Sequence, residues 1–531
     1  MRRIPATSCL DKNRRPQRSV AAATLCVAAI LVTAACAVQP PSVALRTSTI
    51  RYTLEPIPAT ADREGLTRVR ISVPVSGEAP TALRLRMPVW TPGEYRVQNH
   101  ARYVRRVRTA EGSDAIQRPD PHTWVIPAYP SAPCTVEYEL VNAPPGVFTE
   151  NVDVRSRRAF YNGAATFMYV DGRKDEPAVL SITVPRGWTG PITTLRAAAS
   201  STEPPAFAAA DYDELADAPI LVGEANVGSF DLGGKSHTVA MFGQTRGTTP
   251  APYVATLQSV ARAAQAYMES LPYPSYTLFL DMGGRGGGLE HANGARIAWQ
   301  PWMDSRQLGR FLAHEYFHLW NVKRIRPEAL GPFDYQKPPR TRNLWFCEGV
   351  TEYVAGLLAL RARILDERTY LNDLARSITT LANTPARKRI TAEEASLRIW
   401  EDGRSTGYGG LSVYLKGEMI GLCLDLELLR ITDGRFGMRE LMRDLMERHA
   451  PPRPGYPEDG LRQAVVRAGG PSMGPYYDRL CRTTDELPIA EALRAAGLRL
   501  TGDGYGDYGI SAEPEAAPST RRVRESWLYG R

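Results

Sequence analysis

From Ile50 to about Leu195 the apolar and polar residues alternate in short runs. TRVRISVPV (67–75), ALRLRMPVW (82–90), HTWVIPAYP (122–130), TVEYELVNA (135–143) and AVLSITVP (178–185) all show it. Clusters of Pro, Gly and Asn bound these runs, so they predict short antiparallel strands packed as a sandwich. Thr91-Pro92-Gly93 predicts a turn inside MPVWTPGEYRV (87–97). The period changes near Pro252. PYVATLQSVARAAQAYMESLP (252–272) carries apolar residues at helical spacing, YTLFLDM (276–282) reads as a strand, and a glycine-rich stretch spans 283–288. Helices are predicted over 306–324, 344–364 and 411–429, and helical pattern continues to about Leu498. No internal repeat is present.

The first 37 residues belong to neither pattern. A basic stretch to Arg18 precedes the apolar run Val20–Ala35, which reads as an export signal and is short for a spanning helix of ~20 residues. Ala35-Cys36-Ala37 fits cleavage before Val38, and Thr33-Ala34-Ala35-Cys36 fits a lipoprotein box that would leave Cys36 lipidated. An uncleaved anchor helix is the remaining alternative. Each places the body of the chain outside the cytoplasm: periplasmic, held to a membrane through Cys36, or secreted.

With 531 residues, two or three domains are expected. The net charge of +8 is concentrated at the start: six basic residues stand against Asp11 in the first 36, which leaves only +3 for the rest. That excess is too small to argue for nucleic acid. Three of the seven cysteines lie in the signal region; Cys134, Cys347, Cys423 and Cys481 are scattered, with no zinc-knuckle or redox spacing.

The chemistry concentrates in FLAHEYFHLW. His314 and His318 are separated by one helical turn and share a face, so both imidazoles can bind one Zn²⁺, with Glu315 in reach of a bound water. Read blandly, the same residues are two core histidines with a surface glutamate. The uncharged Phe311, Leu312, Ala313, Tyr316, Phe317, Leu319 and Trp320 mark a buried helix instead. LWFCEGVTEY (344–353) offers Glu348 as a third ligand, leaving a fourth position open. Glu352, one turn on, either orients a ligating imidazole from behind or is a solvated helix charge.

These segments resemble the glycyl aminopeptidase family, gluzincin-type zinc enzymes related to aminopeptidase N. HEYFHLWNVKRIRP (314–327), LWFCEGVTEY (344–353), GGGLEH (286–291) and YLKG (414–417) carry the resemblance, together with MPVWTPGEYRV (87–97) and DYDELADAPILVGE (211–224). It spans roughly residues 48–500. The resemblance implies that GGGLEH lies along the substrate as an edge strand, with Gly288 and Leu289 at the substrate and Glu290 holding its free α-amine. It also implies that Tyr414 donates a hydrogen bond to the oxyanion and that the first residue is small, Gly or Ala. Arg324 and Arg326 either touch substrate or brace the fold, and His291 either lines the pocket or serves a turn. Family members commonly carry a PDZ domain after the catalytic one. LPIAEALRAAGLRL (487–500) resembles its lead-in, yet only 31 residues follow, too few for that module.

The expected architecture is α+β. A signal occupies 1–37, an antiparallel β-sandwich 48–224, a thermolysin-like, mainly helical catalytic domain 225–500, and a disordered tail 501–531. The expected activity is zinc-dependent removal of N-terminal residues from peptides with a free amine, using one Zn²⁺ per chain. Two rivals are an endopeptidase on the same site and a catalytically silent peptide-binding module. Oligomeric state is not legible.

Overall fold

The computed structural model describes residues 49–74, 82–110, 115–127, 133–143, 152–199, 204–284, 287–300, 304–403, 406–502, 507–514 and 516–530. The signal segment and Cys36 lie outside them. Among the described residues no helix is long and apolar enough to cross a membrane.

The alternating runs fold as strands. A seven-stranded sheet places Ile50–Ile57 between Ala178–Ile182 and Leu66–Val73, and Cys134–Val141 follows. In Leu66–Val73 every second residue, Val69, Ile71 and Val73, is buried, as a strand with one wet face requires. A four-stranded sheet containing Ala82–Arg86 and Thr123–Pro127 packs Leu83, Leu85, Trp124 and Ile126 into the same core. Pairing in the larger sheet is antiparallel except between Ile50–Leu54 and Ala178–Ile182, which run parallel. Met87–Trp90, read as the end of a strand, leaves the sheet instead. The backbone N–H of Val89 donates to Tyr335 O, which pulls this loop onto the second half of the molecule.

That half is built on a five-stranded sheet in the order Asn226–Leu232, Lys235–Gly243, Ser275–Met282, Gly294–Trp299, Gly287–His291. Among the described residues Gly287–His291 pairs only with Gly294–Trp299 and therefore forms one edge. Helices cover the sheet. Ser305–Phe317 is capped by Asp304, whose carboxylate accepts from Arg306 N, and buries Leu308, Leu312, Ala313, Tyr316 and Phe317. This helix stops at His318 rather than running to Arg324, although no Gly or Pro marks a stop. Tertiary contacts stop it: Asn321 Nδ2 donates to Phe346 O (2.8 Å) and Thr351 Oγ1 (3.1 Å), turning the chain.

The segment read as one helix from Leu344 opens with a wide π-helical turn, Trp345–Val350, before the α-helix Thr351–Arg361. The tail expected to be disordered over 501–531 is ordered in its described residues. Gly509–Ala512 pairs with Leu498–Thr501, and Pro518–Tyr529 is a helix. Val523, Trp527 and Leu528 share one face and are buried, Trp527 to 1% exposure. Arg- and Pro-rich composition masked that short apolar stripe. The four described cysteines are all buried.

Candidate active site

His314 sits in the last turn of its helix and His318 caps it, so the two rings face each other with Nε2 atoms 3.0 Å apart. His318 Nδ1 lies 2.7 Å from the backbone oxygen of Asn321, which can only accept, so that nitrogen carries the proton and Nε2 keeps its lone pair. His314 Nδ1 lies 2.9 Å from Glu352 Oε2 in the same way. Glu348 Oε2 completes the cluster, 3.8 Å from His314 Nε2 and 3.5 Å from His318 Nε2. All three residues are buried. Two lone pairs and a carboxylate so close repel one another unless a proton or a cation lies between them. Burial opposes a charged ring at His314, but the neighbouring carboxylates of Glu348 and Glu352 raise its imidazole well above the ordinary value. The donor set fits a divalent cation with one open position.

The π-helical turn brings Glu348 to this point. A Cβ added at Gly349 would stand 2.3 Å from Gly417 Cα, and one at Gly417 would stand 2.1 Å from Trp345 O. Only glycines allow the turn and the helix Val413–Ile431 to approach so closely. Tyr414, one turn before Gly417, is thereby set beside His314, ring centroids 5.9 Å apart and nearly parallel. Burial and the charge of Glu348 raise its phenol well above the ordinary value, so it stays a proton donor.

Glu352 is fixed from behind. Arg310, four residues before His314, donates to Glu352 (2.9 Å) and Glu418 (2.7 Å). Burial resists charge on Glu352, yet the Arg310 guanidinium and the His314 hydrogen bond bring its carboxyl down to about 2. It is therefore a hydrogen-bonded partner of His314, not a solvated helix charge.

On the edge strand, Gly288 and Glu290 point the same way. A Cβ at Gly288 would meet Glu315 Oε1 at 2.1 Å, so the bare backbone of Gly288 lies against Glu315. Carboxylate oxygens of Glu290 and Glu315 lie within 4.8 Å of each other and of a His318 nitrogen. Leu289 is buried under Gly93, leaving only its backbone to offer a ligand. His291 is also buried, its Nδ1 3.5 Å from Asp217.

Three residues without a role in the sequence reading take part. Tyr95, at the end of MPVWTPGEYRV, donates a hydrogen bond to Glu348 Oε1. Lys323 lies 2.8 Å from Asp217 and 3.9 Å from Glu290. Asp217, in DYDELADAPILVGE, also accepts from Ala292 N (2.6 Å), just past the edge strand. The only signal for them was that the three segments carrying them looked family-like. Arg324 is a brace: it donates to the backbone oxygens of Ala292 and Leu319 and to Asn293 Oδ1.

Among solved structures, an aminopeptidase N family protein from Idiomarina loihiensis is similar at 23% identity and TM-score 0.76, over 85% of this chain and 79% of that one. Aminopeptidase A of Legionella pneumophila, solved with aspartic acid, is similar at 11% identity and TM-score 0.50, over 82% of this chain and 49% of its own. No curated protein matches the chain. The fold, a β-rich region followed by a helical domain, is that of the aminopeptidases. Residues 56–224 match the peptidase M61 N-terminal domain and residues 307–420 match M61 glycyl aminopeptidase. The chain belongs to this family of metallopeptidases.

Proposed function

We propose that the chain is a zinc-dependent aminopeptidase. The observation that carries this reading is the convergence of His314, His318 and Glu348 on one point, with Glu315 beside it and Glu290 on the adjoining edge strand. Two imidazole nitrogens and a carboxylate suit Zn²⁺, with a place left for water or substrate. Zinc held there would polarise the scissile carbonyl and lower the pKa of its water toward ~7. Glu315, pressed against Gly288, takes the attacking water's proton and hands it to the leaving amine. Tyr414 donates to the developing oxyanion. Tyr95 holds Glu348 in place and Glu352 holds His314.

Glu290 pairs with the substrate's α-ammonium and so fixes which peptide bond reaches the reacting centre. Lys323 bears on this role, and on the rival endopeptidase reading, because a cation already stands 3.9 Å from Glu290. Lys323 is engaged more closely by Asp217, which leaves Glu290 able to take a second cation. The exported location proposed from residues 1–37 suits an enzyme acting on peptides outside the cytoplasm.

The test is a cycle of two enzymes on two substrates. A charge-assisted hydrogen bond contributes roughly 1.5–3 kcal/mol, so Glu290→Ala should lose about 10–200-fold in kcat/KM on a peptide with a free amine. On the N-acetylated peptide, a poor substrate for the parent, the variant should lose nothing further. Equal losses on both would remove Glu290 from amine recognition. Efficient internal cleavage of blocked peptides by the parent would favour the endopeptidase.

A further inference from the structure

A cavity of about 280 Å³ opens beside Glu290. That places it near the lower end of the ~300–1,000 Å³ typical of small-molecule sites, far more than a hydrogen or a methyl group fills. Both halves of the molecule line it. Trp90, Pro92 and Tyr95 come from the loop that leaves the β-rich region; Val322, Leu330 and Phe333 come from the segment after His318.

Two of its wall residues are landmarks of the reacting centre. Glu290 marks where the α-ammonium is held, and Tyr95 hydrogen-bonds Glu348, which marks the metal position. In a substrate the first Cα is bonded to both the amine and the scissile carbonyl, so its side chain leaves from between those two points. Glu290 and Tyr95 both stand in the cavity wall.

The charged residues in the wall are largely committed to the protein itself. Lys323 is 2.8 Å from Asp217, and Arg324 donates to Ala292, Leu319 and Asn293. Asp211 caps the short helix Tyr212–Ala216, and Glu214 accepts from Ala210 N. Phe333 N donates to Asp213 at 3.3 Å. Arg326 lies over the Phe333 ring, 5.8 Å from its centroid, with no carboxylate among the described residues within 4.0 Å. The carboxylates of Asp213, Asp217 and Asp211 still act on it from further away, so it is not a bare cation awaiting an acid. Beside these charges the wall offers a ligand the apolar and aromatic surfaces of Trp90, Pro92, Val322, Leu330 and Phe333.

We infer that this cavity receives the side chain of the substrate's first residue and takes a large uncharged one, aromatic or branched, rather than the Gly or Ala that the family likeness implies. The inference rests on the reading of Glu290 as the amine site. A glycine there leaves the cavity to water and gains nothing from Trp90 or Phe333.

The test is a series of free-amine p-nitroanilides of Gly, Ala, Leu, Phe, Glu and Arg on the zinc-loaded full chain. One methylene in an apolar pocket discriminates by roughly 10–200-fold. The Phe and Leu compounds should therefore exceed Gly in kcat/KM by at least about tenfold. Leu330→Trp, which fills the cavity, should reduce the Phe-to-Gly ratio at least about tenfold, whatever it does to either rate. If that variant does not fold, calorimetry on Glu315→Gln gives a readout without turnover: phenylalaninamide should bind more tightly than glycinamide. A series led by Gly or Ala would overturn the inference and leave the aminopeptidase reading standing. A series led by Glu or Arg would overturn it too, by showing a pocket that reads charge. Hydrolysis of none of the six by metal-loaded protein would remove the aminopeptidase reading itself, and the inference with it.

Discussion

The β-rich region and the helical region contribute to the site in opposite ways. The helical region supplies the candidate metal ligands and Glu315 from two short segments, 314–318 and 348–352, and positions them by i and i+4 spacing, a cap and a π-helical turn. The β-rich region supplies no candidate ligand. It reaches the site at three points: Gly93 against Glu290, Tyr95 on Glu348, and Asp217 on Lys323 and Ala292. On the proposed reading one region carries the reaction, and the other holds the reacting groups in position and, with the cavity wall, selects what they act on.

Substitutions can break this division or sharpen it. The largest effect is expected at Gly288, where a methyl would stand 2.1 Å from Glu315 Oε1. Gly288→Ala should displace the base and lower kcat on the scale of a lost general base, ~10²–10⁴-fold, with metal content unchanged by elemental analysis. Near-parent kcat would mean that Glu315 has room the packing denies it. A smaller effect is expected at Tyr95. Tyr95→Phe removes one hydrogen bond to a candidate ligand while keeping the ring, and outer partners of metal ligands matter by about 10–100-fold in metal affinity or activity. A chelator titration should show weaker metal retention together with the activity loss. If neither changes, the β-rich region does not tune the metal centre and the comparison fails at its main point.

The smallest effect on activity is expected at Trp527. Its Nε1 donates to Tyr353 OH (2.6 Å), which donates to Asp425 (2.6 Å), behind the helix that follows Glu348. Trp527→Ala should cost about 3–5 kcal/mol of stability, as large aromatic truncations in cores do. It should lower Tm in a thermal melt and leave kcat/KM at low temperature within a few-fold of the parent.

What was legible in the sequence divides along the same line. His314, Glu315 and His318 were readable because a helix converts spacing into geometry, and Glu348 because it opens the next helix-like stretch, 30 positions after His318. The pairing of Glu352 with His314 was one of two readings, and Arg310 at hydrogen-bonding distance decides between them. Tyr95 was not readable. It meets Glu348 across 253 positions of chain, and no local period encodes such a contact. The stop after Phe317 was missed for a related reason: Asn321 is turned by a partner in another segment. The final helix was hidden by composition, since three apolar residues among arginines and a proline suffice once a core is present to receive them.

The central claim is that a cation held by His314, His318 and Glu348 works together with Glu315 as base. Glu315→Gln tests it most directly, with zinc content and kcat measured on the same preparation. The side chain keeps its size and loses only its capacity to take a proton. Zinc should stay near one per chain while kcat falls by ~10²–10⁴-fold. Loss of zinc along with activity would make Glu315 a structural support of the site, and unchanged kcat with zinc retained would contradict the account outright.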